Sequence, residues 1–415
     1  MIGRHLEPPL LAALARSPVV FLNGPRQAGK STLARAVAER RHPARYLTLD
    51  DATTLAAAHA DPAGFVAGLD GPVVLDEVQR EPRLFLAIKA AVDQDRRPGR
   101  FLLTGSAAVM ALPELAQALV GRVEILTLWP FSQGELAGRR ERFVDALFGR
   151  RAPKPAGRPG RVRPPLEARL LAGGFPEPAA RRTEADRRGW FAAYATTILQ
   201  REVRDLANID GLAALPQLLG LLAARATTLL NTAELGRSSG IPNTTLKRYL
   251  ALLQATFVIQ PLPAWSANLG KRLVRSPKVM LCDTGLLAHL LGADARRLRA
   301  DRGLMGPLVE NLVAMEIVKQ SAWSDIRPAV YHYRSHAGEE VDLVLEDAAG
   351  HVVGLEVKAG ATVDARGQRG LRALADALGK RFVRGVVLYA GATVVPFGER
   401  LHALPISALW THGAG

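Results

Sequence analysis

The stretch GPRQAGKST occupies residues 24–32 and directly follows the apolar run PVVFLN at residues 18–23. The apolar run is typical of a buried strand, and KSTLARAVAER at residues 30–40 is typical of a helix. Gly24, four further residues and then Gly29-Lys30-Ser31 match the GxxxxGK[ST] pattern, which cradles nucleotide phosphates when a strand precedes it and a helix follows. This order therefore predicts a polyphosphate site in an α/β fold.

The loop also predicts which groups would hold ATP and Mg²⁺. Its backbone N–H groups and the N-terminus of the following helix favour anionic phosphates. Lys30 is expected to reach the β- and γ-phosphates, and Ser31 is expected to bind Mg²⁺. The predicted contacts to the nucleotide are Gly24, Pro25, Arg26, Gln27, Ala28, Gly29, Lys30, Ser31 and Thr32.

A second apolar run, VVLDE at residues 73–77, ends in two acids. Asp76 is expected to hold Mg²⁺ through water, as the acid of a Walker-B strand does. Glu77 then stands where it would polarise the water that attacks ATP. The pair strengthens the prediction of a site for ATP and Mg²⁺.

Further candidates for this site are less specific. FLLTGS at residues 101–106 ends in Thr104 and Ser106, which either sense the γ-phosphate or simply form the turn after a buried strand. Arg122 is a candidate for a phosphate contact, within its own chain or across a subunit boundary, and Arg201 is a weaker one. Either arginine is equally compatible with a surface ion pair.

Composition sets the broad class of the protein. The 415 residues include 54 Lys and Arg against 39 Asp and Glu, a formal net charge of +15, which favours contact with polyanions such as DNA. The alternative explanation is that GC-rich coding alone produces the excess of Arg. Cys282 is the single cysteine, so no internal disulfide forms and a reducing cytoplasm is expected. We find no signal peptide and no apolar run near the roughly 18 residues of a membrane span, so no membrane contact is expected.

Alternation of apolar and helical segments predicts four parts. Residues 1–135 alternate strands and helices, which indicates a parallel sheet covered on both faces. Residues 136–210 are predicted to be a basic linker and a helical lid, with a flexible loop at 150–165. Residues 211–275 are predicted to be winged-helix-like, and residues 276–415 to form a second α/β domain.

The segment NTAELGRSSGIPNTTLKRYLALLQATFVIQ, residues 231–260, predicts a helix, a glycine turn, a second helix and a strand. The second helix has an apolar stripe, expected to be buried, of Leu246, Tyr249, Leu250 and Leu253. Its other side carries polar residues that a recognition helix would present to DNA, namely Thr244, Thr245, Lys247 and Arg248. A packing role without DNA explains the same pattern.

The segment EEVDLVLEDAAGHVVGLEVKAG, residues 339–360, predicts two adjacent strands that carry acids. Asp342 lies on the first, while Glu356 and Lys358 lie two apart on the second and so point to one face. With Glu310 on the preceding helix, these carboxylates predict a Mg²⁺ or Mn²⁺ site, beside which Lys358 would orient water or stabilise a phosphorane. The alternative is a strand of alternating acids that Lys358 alone neutralises.

Several motifs together resemble a family of bacterial and archaeal AAA-type ATPases, with an N-terminal P-loop domain and a C-terminal domain of unknown function. The motifs are GPRQAGKST, VVLDEVQ, LLTGS, LVGRVEIL with LWPFSQGE, GGFPE, LQREVRDL, KVMLCDTGL, GPLVENLVAMEI, YHYRS and EEVDLVLE with GLEVKAG. The resemblance implies ATP binding and a last domain of the PD-(D/E)xK, restriction-endonuclease-like fold. In that fold Asp342, Glu356 and Lys358 would take the core roles and Glu310 that of the helical acid. The family often has Asp where this chain has Glu202.

These expectations describe a cytoplasmic ATPase of AAA type, dependent on Mg²⁺, whose nucleotide state controls a nuclease-like, DNA-binding C-terminal module. One alternative is a nucleotide-gated DNA-binding regulator without nuclease chemistry. Another is a protein-interaction switch in which both C-terminal modules merely pack. The expected partners are ATP, DNA and a second copy of the chain.

Overall fold

The computed structural model describes residues 2–108, 119–150, 153, 164–198, 214–268, 270, 272, 275–335, 337–364 and 366–412. Its N-terminal part is a parallel sheet with helices on both faces. The strands are β1 (Val19–Asn23), β2 (Arg45–Thr48), β3 (Val73–Asp76), β4 (Phe101–Gly105) and β5 (Val123–Thr127). The helices are α1 (Glu7–Leu14), α2 (Lys30–Arg40), α3 (Ala52–Ala60), α4 (Pro62–Ala67) and α5 (Leu84–Gln94).

The strands pair in the order β2-β3-β4-β1-β5, and every pair is parallel. Successive side chains of a strand point to opposite faces, so β1 contributes side chains to two apolar cores. Val19 and Phe21 pack with α5 on one face, whereas Val20 and Leu22 pack with α1 and α2 on the other. All residues of β1, β3 and β4 are buried, as expected for parallel strands covered on both sides. The prediction of a parallel α/β sheet is confirmed.

The described residues of the middle of the chain form helices and a β-ribbon. The helices before the ribbon are α6 (Gln133–Leu136), α7 (Phe143–Phe148), α8 (Leu166–Ala172), α9 (Pro176–Ala180), α10 (Glu184–Thr197), α11 (Leu215–Ala224), α12 (Thr232–Ser239) and α13 (Asn243–Ala255). The ribbon is β6 (Ile259–Leu262) paired antiparallel with β7 (Lys278–Leu281), and α14 (Thr284–Leu290) and α15 (Ala295–Ala300) follow it.

Two details bear on the sequence predictions for this middle part. The predicted apolar stripe of α13 is buried, from 0% exposed at Leu246 and Leu253 to 9% at Leu250, and Gly240 turns the chain between α12 and α13 with φ of 68°. Within the predicted linker and lid, Leu136 ends α6 and residues 143–148 form α7, whose Phe143 and Leu147 enter the core. Most of the predicted loop at 150–165 lies outside the described residues.

The C-terminal part is a second α/β layer. It consists of α16 (Met305–Trp323), β8 (Ala329–Arg334), β9 (Glu340–Glu346), β10 (Val352–Lys358), α17 (Arg369–Leu378), β11 (Phe382–Tyr389), β12 (Val395–Pro396), β13 (Leu401–Pro405) and α18 (Ala408–Thr411). Its strands pair in the order β12-β13-β11-β10-β9-β8, with β10, β11 and β13 parallel and the other pairs antiparallel. One apolar core runs from α7 and α10 through α13 to α16 and β10, so the middle helices and the C-terminal sheet pack as one body. No helix in the described ranges is long and apolar enough to cross a membrane.

Candidate nucleotide site and C-terminal carboxylate cluster

The glycine-rich loop follows β1, the strand that lies between β4 and β5 in the N-terminal sheet. The loop is therefore at the carboxyl edge of this sheet. Gly24 has φ of 143°, and a Cβ atom there would collide with the carbonyl oxygen of Leu128, so glycine is required where these two segments meet. Gly29 has φ of 96° and is the N-cap of α2. The backbone therefore turns directly into the N-terminus of α2, an arrangement that favours anions.

Lys30 lies inside this loop. Its side chain is buried, with 4% of the residue exposed, and its ammonium donates to the carbonyl oxygens of Gly24 and Pro25, both at 2.9 Å. A buried ammonium held within a ring of backbone groups is the point charge that a phosphate chain requires.

Asp76 ends β3 and meets the first turn of α2. The hydroxyl of Ser31 donates to Oδ1 of Asp76 at 2.9 Å, although the two residues are 45 positions apart. A hydroxyl and a carboxylate side by side are hard oxygen ligands of the kind that Mg²⁺ prefers. The residues present thus fit Mg²⁺, which Ser31 and Asp76 would hold and which would neutralise phosphate charge.

Two residues on neighbouring strands hold Asp76 in place. The hydroxyl of Tyr46 donates to Oδ2 of Asp76 at 2.6 Å, and the hydroxyl of Thr104 donates to Oδ1. Burial first, and then the hydrogen bond to Asp76, raises the pKa of Tyr46 to about 12, so this phenol stays a donor at neutral pH. No motif in the sequence indicates this role for Tyr46, which lies on the strand next to β3.

Glu77 follows Asp76 in the left-handed region, with φ of 58°, a conformation that costs energy for any residue but glycine. Its N–H donates to the hydroxyl of Thr104 at 3.2 Å, and its carboxylate accepts from the side-chain amide of Gln79. The same amide donates to Ser106 at 3.2 Å. Burial raises the pKa of Glu77, whereas the positive charge of Lys30 opposes that rise. Thr104, Ser106 and Gln79 thus orient the two acids, and a γ-phosphate sensor at Thr104 or Ser106 stays a prediction.

Arg122 lies at the wrong end of the sheet for a phosphate contact in its own chain. Val123 pairs with Val19 at the start of β1, so Arg122 is at the amino edge while the loop is at the carboxyl edge. Its guanidinium pairs with Asp93 at 2.7 Å. The in-chain contact is therefore wrong, and a contact across a subunit boundary stays a prediction. Arg201 and Glu202 lie outside the described residues.

A cavity of about 520 Å³ opens beside the loop. It lies between the N-terminal residues, the start of α2 and the segment after β5, and its lining includes Ile2, Arg4, Thr32, Leu33, Phe131 and Pro176. Cavities of this size, with apolar walls and a few polar groups, suit small organic ligands. This cavity could not be predicted from the sequence, because its walls come from segments that are distant along the chain.

The C-terminal acids lie together, but with a lysine that the sequence did not indicate. The ammonium of Lys278, on β7, is 2.7 Å from Oε1 of Glu310 and 3.1 Å from Oδ1 of Asp342. Lys358 pairs with Glu356 at 2.8 Å. Burial first, and then the charge of Asp342, raises the pKa of both Glu310 and Glu356 to about 7.

The predicted metal site of Glu310, Asp342 and Glu356 is therefore not formed. Among the described residues, no three His, Cys, Asp or Glu side chains are placed to hold a metal ion together. The physical reason is that lysine ammonium groups lie against the carboxylate oxygens that a metal would need.

The helix predicted to face DNA has the expected exposure. Thr244, Lys247 and Arg248 are exposed on α13, and Thr245 is half-buried. Two of these four residues carry positive charge, so this face is compatible with phosphate contacts.

The fold and the site define an AAA-type ATPase domain, a class that binds and hydrolyses ATP. The family model described as AAA domain matches residues 16–137. Models described as domains of unknown function, DUF8612 and DUF4143, match residues 163–297 and 305–409. The domain match and the geometry of Lys30, Ser31 and Asp76 both assign the N-terminal part to the class of AAA-type ATPase domains.

Two mycobacterial proteins are similar along nearly the whole chain. They are the Uncharacterized protein Rv2008c of Mycobacterium tuberculosis and the Uncharacterized protein Mb2031c of Mycobacterium bovis. Each is 33% identical over 411 residues, which cover 98% of this chain and 84% of theirs. The chain belongs to the same family as these two proteins.

Solved structures show partial similarity. The Walker-type ATPase PABY2304 of Pyrococcus abyssi has a TM-score of 0.41 and 15% identity, covering 70% of this chain and 96% of its own. The RuvB Holliday junction branch migration motor of Thermotoga maritima has a TM-score of 0.30 and 18% identity, covering 63% of this chain and 90% of its own. The assignment of the ATPase domain rests on residues 16–137 and on the geometry of the loop.

Proposed function

We propose that this protein is a Mg²⁺-dependent ATPase whose nucleotide state controls its C-terminal domain. The observation that carries the proposal is the convergence of Lys30, Ser31, Asp76 and Glu77 at one edge of the parallel sheet. Lys30 binds the phosphates, and Ser31 with Asp76 would hold Mg²⁺. Glu77 accepts the proton of the attacking water, since burial raises its pKa toward the range of a general base.

The cavity beside α2 gives the nucleotide a place for its base and ribose. Gly29 and Thr32 line it, so it adjoins the end of the phosphate loop. The apolar side chains of Leu33 and Phe131 supply surfaces on which a base can pack. With phosphates at Lys30, the nucleoside would lie between α2 and residues 2–7.

Contacts from the loop to the rest of the chain support control by the nucleotide. The hydroxyl of Tyr194, on α10, donates to the carbonyl oxygen of Arg26 in the loop at 3.4 Å. The guanidinium of Arg4 donates to the carbonyl oxygens of Ala28 at 2.8 Å and Trp129 at 2.6 Å. In this proposal, phosphate binding shifts the loop, and the shift reaches α10 and the segment after β5, which contacts α16.

The C-terminal module has two candidate roles. A helix, three antiparallel strands, a second helix and a parallel strand follow one another from α16 to β11, and this order supports the nuclease-like hypothesis. The ion pairs of Lys278 with Glu310 and Asp342 favour the alternative, a DNA-binding regulator without nuclease chemistry. In this proposal α13 contacts DNA, the protein acts in the cytoplasm, and a second copy can supply Arg122 across a subunit boundary.

One experiment tests the proposal. Purified protein with ATP and Mg²⁺ is expected to release phosphate, and Lys30→Ala is expected to lose most of its nucleotide affinity because the buried phosphate clamp loses its mobile cation. Labelled plasmid with Mg²⁺ or Mn²⁺, tested beside Glu356→Ala, separates the two candidate roles. If the wild type releases no phosphate from ATP, either with or without DNA, the ATPase proposal is contradicted.

A further inference from the structure

Lys278 reaches into the C-terminal domain from the β6–β7 ribbon. Only 6% of the residue is exposed, and its ammonium lies between a carboxylate of α16 and a carboxylate of β9. A buried ammonium is strongly unfavourable unless it is paired and hydrogen-bonded. Glu310 at 2.7 Å and Asp342 at 3.1 Å supply that pairing.

Four of the carboxylate oxygens that a metal would need already accept hydrogen bonds, among them Oε1 of Glu310 from Lys278. Oδ1 of Asp342 accepts from Lys278, and Oδ2 accepts from the backbone N–H of Val357 at 2.9 Å. Oε1 of Glu356 accepts from Lys358 at 2.8 Å. Oε2 of Glu356 is buried and has no hydrogen-bond partner within the described part of the chain. Two ammonium groups thus face three carboxylates, which leaves little negative charge to attract a divalent ion.

We infer that Lys278 is the resident cation of this cluster: its ammonium occupies the position at which a divalent metal would bind, and it fastens the β6–β7 ribbon to the C-terminal sheet. The domain therefore assembles without metal. This inference concerns residues outside the nucleotide site and does not depend on ATP hydrolysis.

A second ion pair fastens the same ribbon. Arg272, in the connection between β6 and β7, donates to both carboxylate oxygens of Glu346 at 2.6 and 3.1 Å. Glu346 ends β9, the strand that carries Asp342. Both ion pairs therefore join the ribbon to β9, and the ribbon directly continues α13, the helix proposed to meet DNA.

The experiment is a Mn²⁺ titration of the full chain without nucleotide, in which electron paramagnetic resonance measures the binding of Mn²⁺. In the wild type, Mn²⁺ is not expected to bind at Asp342. The Asp342→Asn variant is therefore expected to bind Mn²⁺ as the wild type does. Lys278→Met keeps the apolar stem but removes the charge, so it is expected to gain a site at least tenfold tighter than any in the wild type. The double variant Lys278→Met/Asp342→Asn is expected to lose that site. Lys278→Arg keeps a cation and is expected to behave as the wild type.

Two results would overturn the inference. One is Mn²⁺ binding in the wild type that Asp342→Asn abolishes, and this comparison stands even if Lys278→Met does not fold. The other is a folded Lys278→Met protein, judged by circular dichroism, that gains no Mn²⁺ site. Phosphate release from ATP, measured on the same samples, reports separately on the proposed ATPase function.

Discussion

Glu316 of α16 accepts a hydrogen bond at 2.8 Å from the backbone N–H of Gln133, which lies 183 positions earlier in the chain. The same carboxylate accepts from the ammonium of Lys319 at 2.8 Å, and Lys319 also donates to the carbonyl oxygen of Phe131 at 3.0 Å. Glu316 is 0% exposed and Lys319 is 4% exposed. A buried ion pair thus joins the C-terminal helix α16 to the segment that leaves the ATPase sheet.

Glu77→Gln is expected to keep nucleotide binding and to slow hydrolysis by about 10²-fold or more, because the neutral amide cannot accept a proton. Gln79→Ala is the matched variant. It leaves the carboxylate in place but removes the amide that orients it, so a smaller loss is expected. Binding is measured by titration calorimetry with ATP, and hydrolysis by phosphate release. Hydrolysis by Glu77→Gln at the wild-type rate would show that Glu77 is not the base.

Changing Lys247 and Arg248 together to Ala is expected to weaken binding to duplex DNA. It should also reduce the slope of log affinity against log salt by roughly 2 if both contact phosphates, because fewer counterions are released. Arg296→Ala with Arg299→Ala removes the same charge from another exposed helix, α15, and is expected to leave DNA binding unchanged. If the α13 double variant binds DNA like the wild type across a salt series, the helix-turn-helix segment is a packing element.

The N-terminal sheet was predictable because β1, β3 and β4 are short, nearly continuous apolar runs and the phosphate loop has a fixed spacing. The motifs assign Ser31 and Asp76 separately to one Mg²⁺ site, and the two residues meet because β1 and β3 end at the same edge of the parallel sheet. Lys278 was not predictable. Its partners lie 32 and 64 positions away, and only the packing of the ribbon against the C-terminal sheet brings them together.

Helix α16 shows why charge patterns mislead. Charged residues in a helix are usually assigned to the solvent side. In this helix Asn311, Glu316, Lys319 and Gln320 are all buried, because middle helices, the segment after β5 and the C-terminal sheet cover it. Apolar residues lie on all sides of this helix and indicate burial, but they do not indicate which polar partners its charged residues meet.

His332 makes stability depend on pH. Its side chain is 2% exposed, and its Nε2 lies 3.1 Å from the carbonyl oxygen of Ser276. Burial lowers the pKa of His332 to about 4, and the charges of Lys278, Arg275 and Arg334 act in the same direction. The unfolded chain therefore binds a proton between pH 6.5 and about 4 that the folded chain does not, so stability is present above pH 6.5 and is lost as pH falls toward 4.

The loss attributable to His332 is at most about 3 kcal/mol over that interval. His332→Gln cannot be protonated and still has a donor for Ser276, so its unfolding free energy is expected to fall less than that of the wild type on acidification. Urea denaturation at pH 7, 5.5 and 4.5 measures the difference. If the unfolding free energies of the two proteins fall equally on acidification, His332 is not the titrating group.

Lys319→Met is expected to destabilise the protein by about 3–5 kcal/mol, since it leaves the carboxylate of Glu316 buried without its cation. Adding Glu316→Gln should recover much of that loss, because the amide oxygen can still accept from the N–H of Gln133 and the carboxylate of Glu316 is no longer present without its cation. Lys380→Met, on an exposed turn after α17, is a control from which no comparable loss is expected.

The wild type, Lys319→Met, Glu316→Gln and the double variant form a double-mutant cycle. Their unfolding free energies, measured by urea denaturation, give the coupling free energy between Glu316 and Lys319. A favourable coupling well above 1 kcal/mol is expected for a pair removed from solvent, whereas exposed pairs contribute less. Hydrogen exchange with and without ATP then tests the route from the loop to α16. The wild type should change protection in α16 on binding ATP, and the Glu316→Gln/Lys319→Met protein should show a smaller change. Additive losses in the cycle, together with an unchanged ATP response, would mean that this pair neither holds α16 to the ATPase sheet nor transmits the nucleotide state.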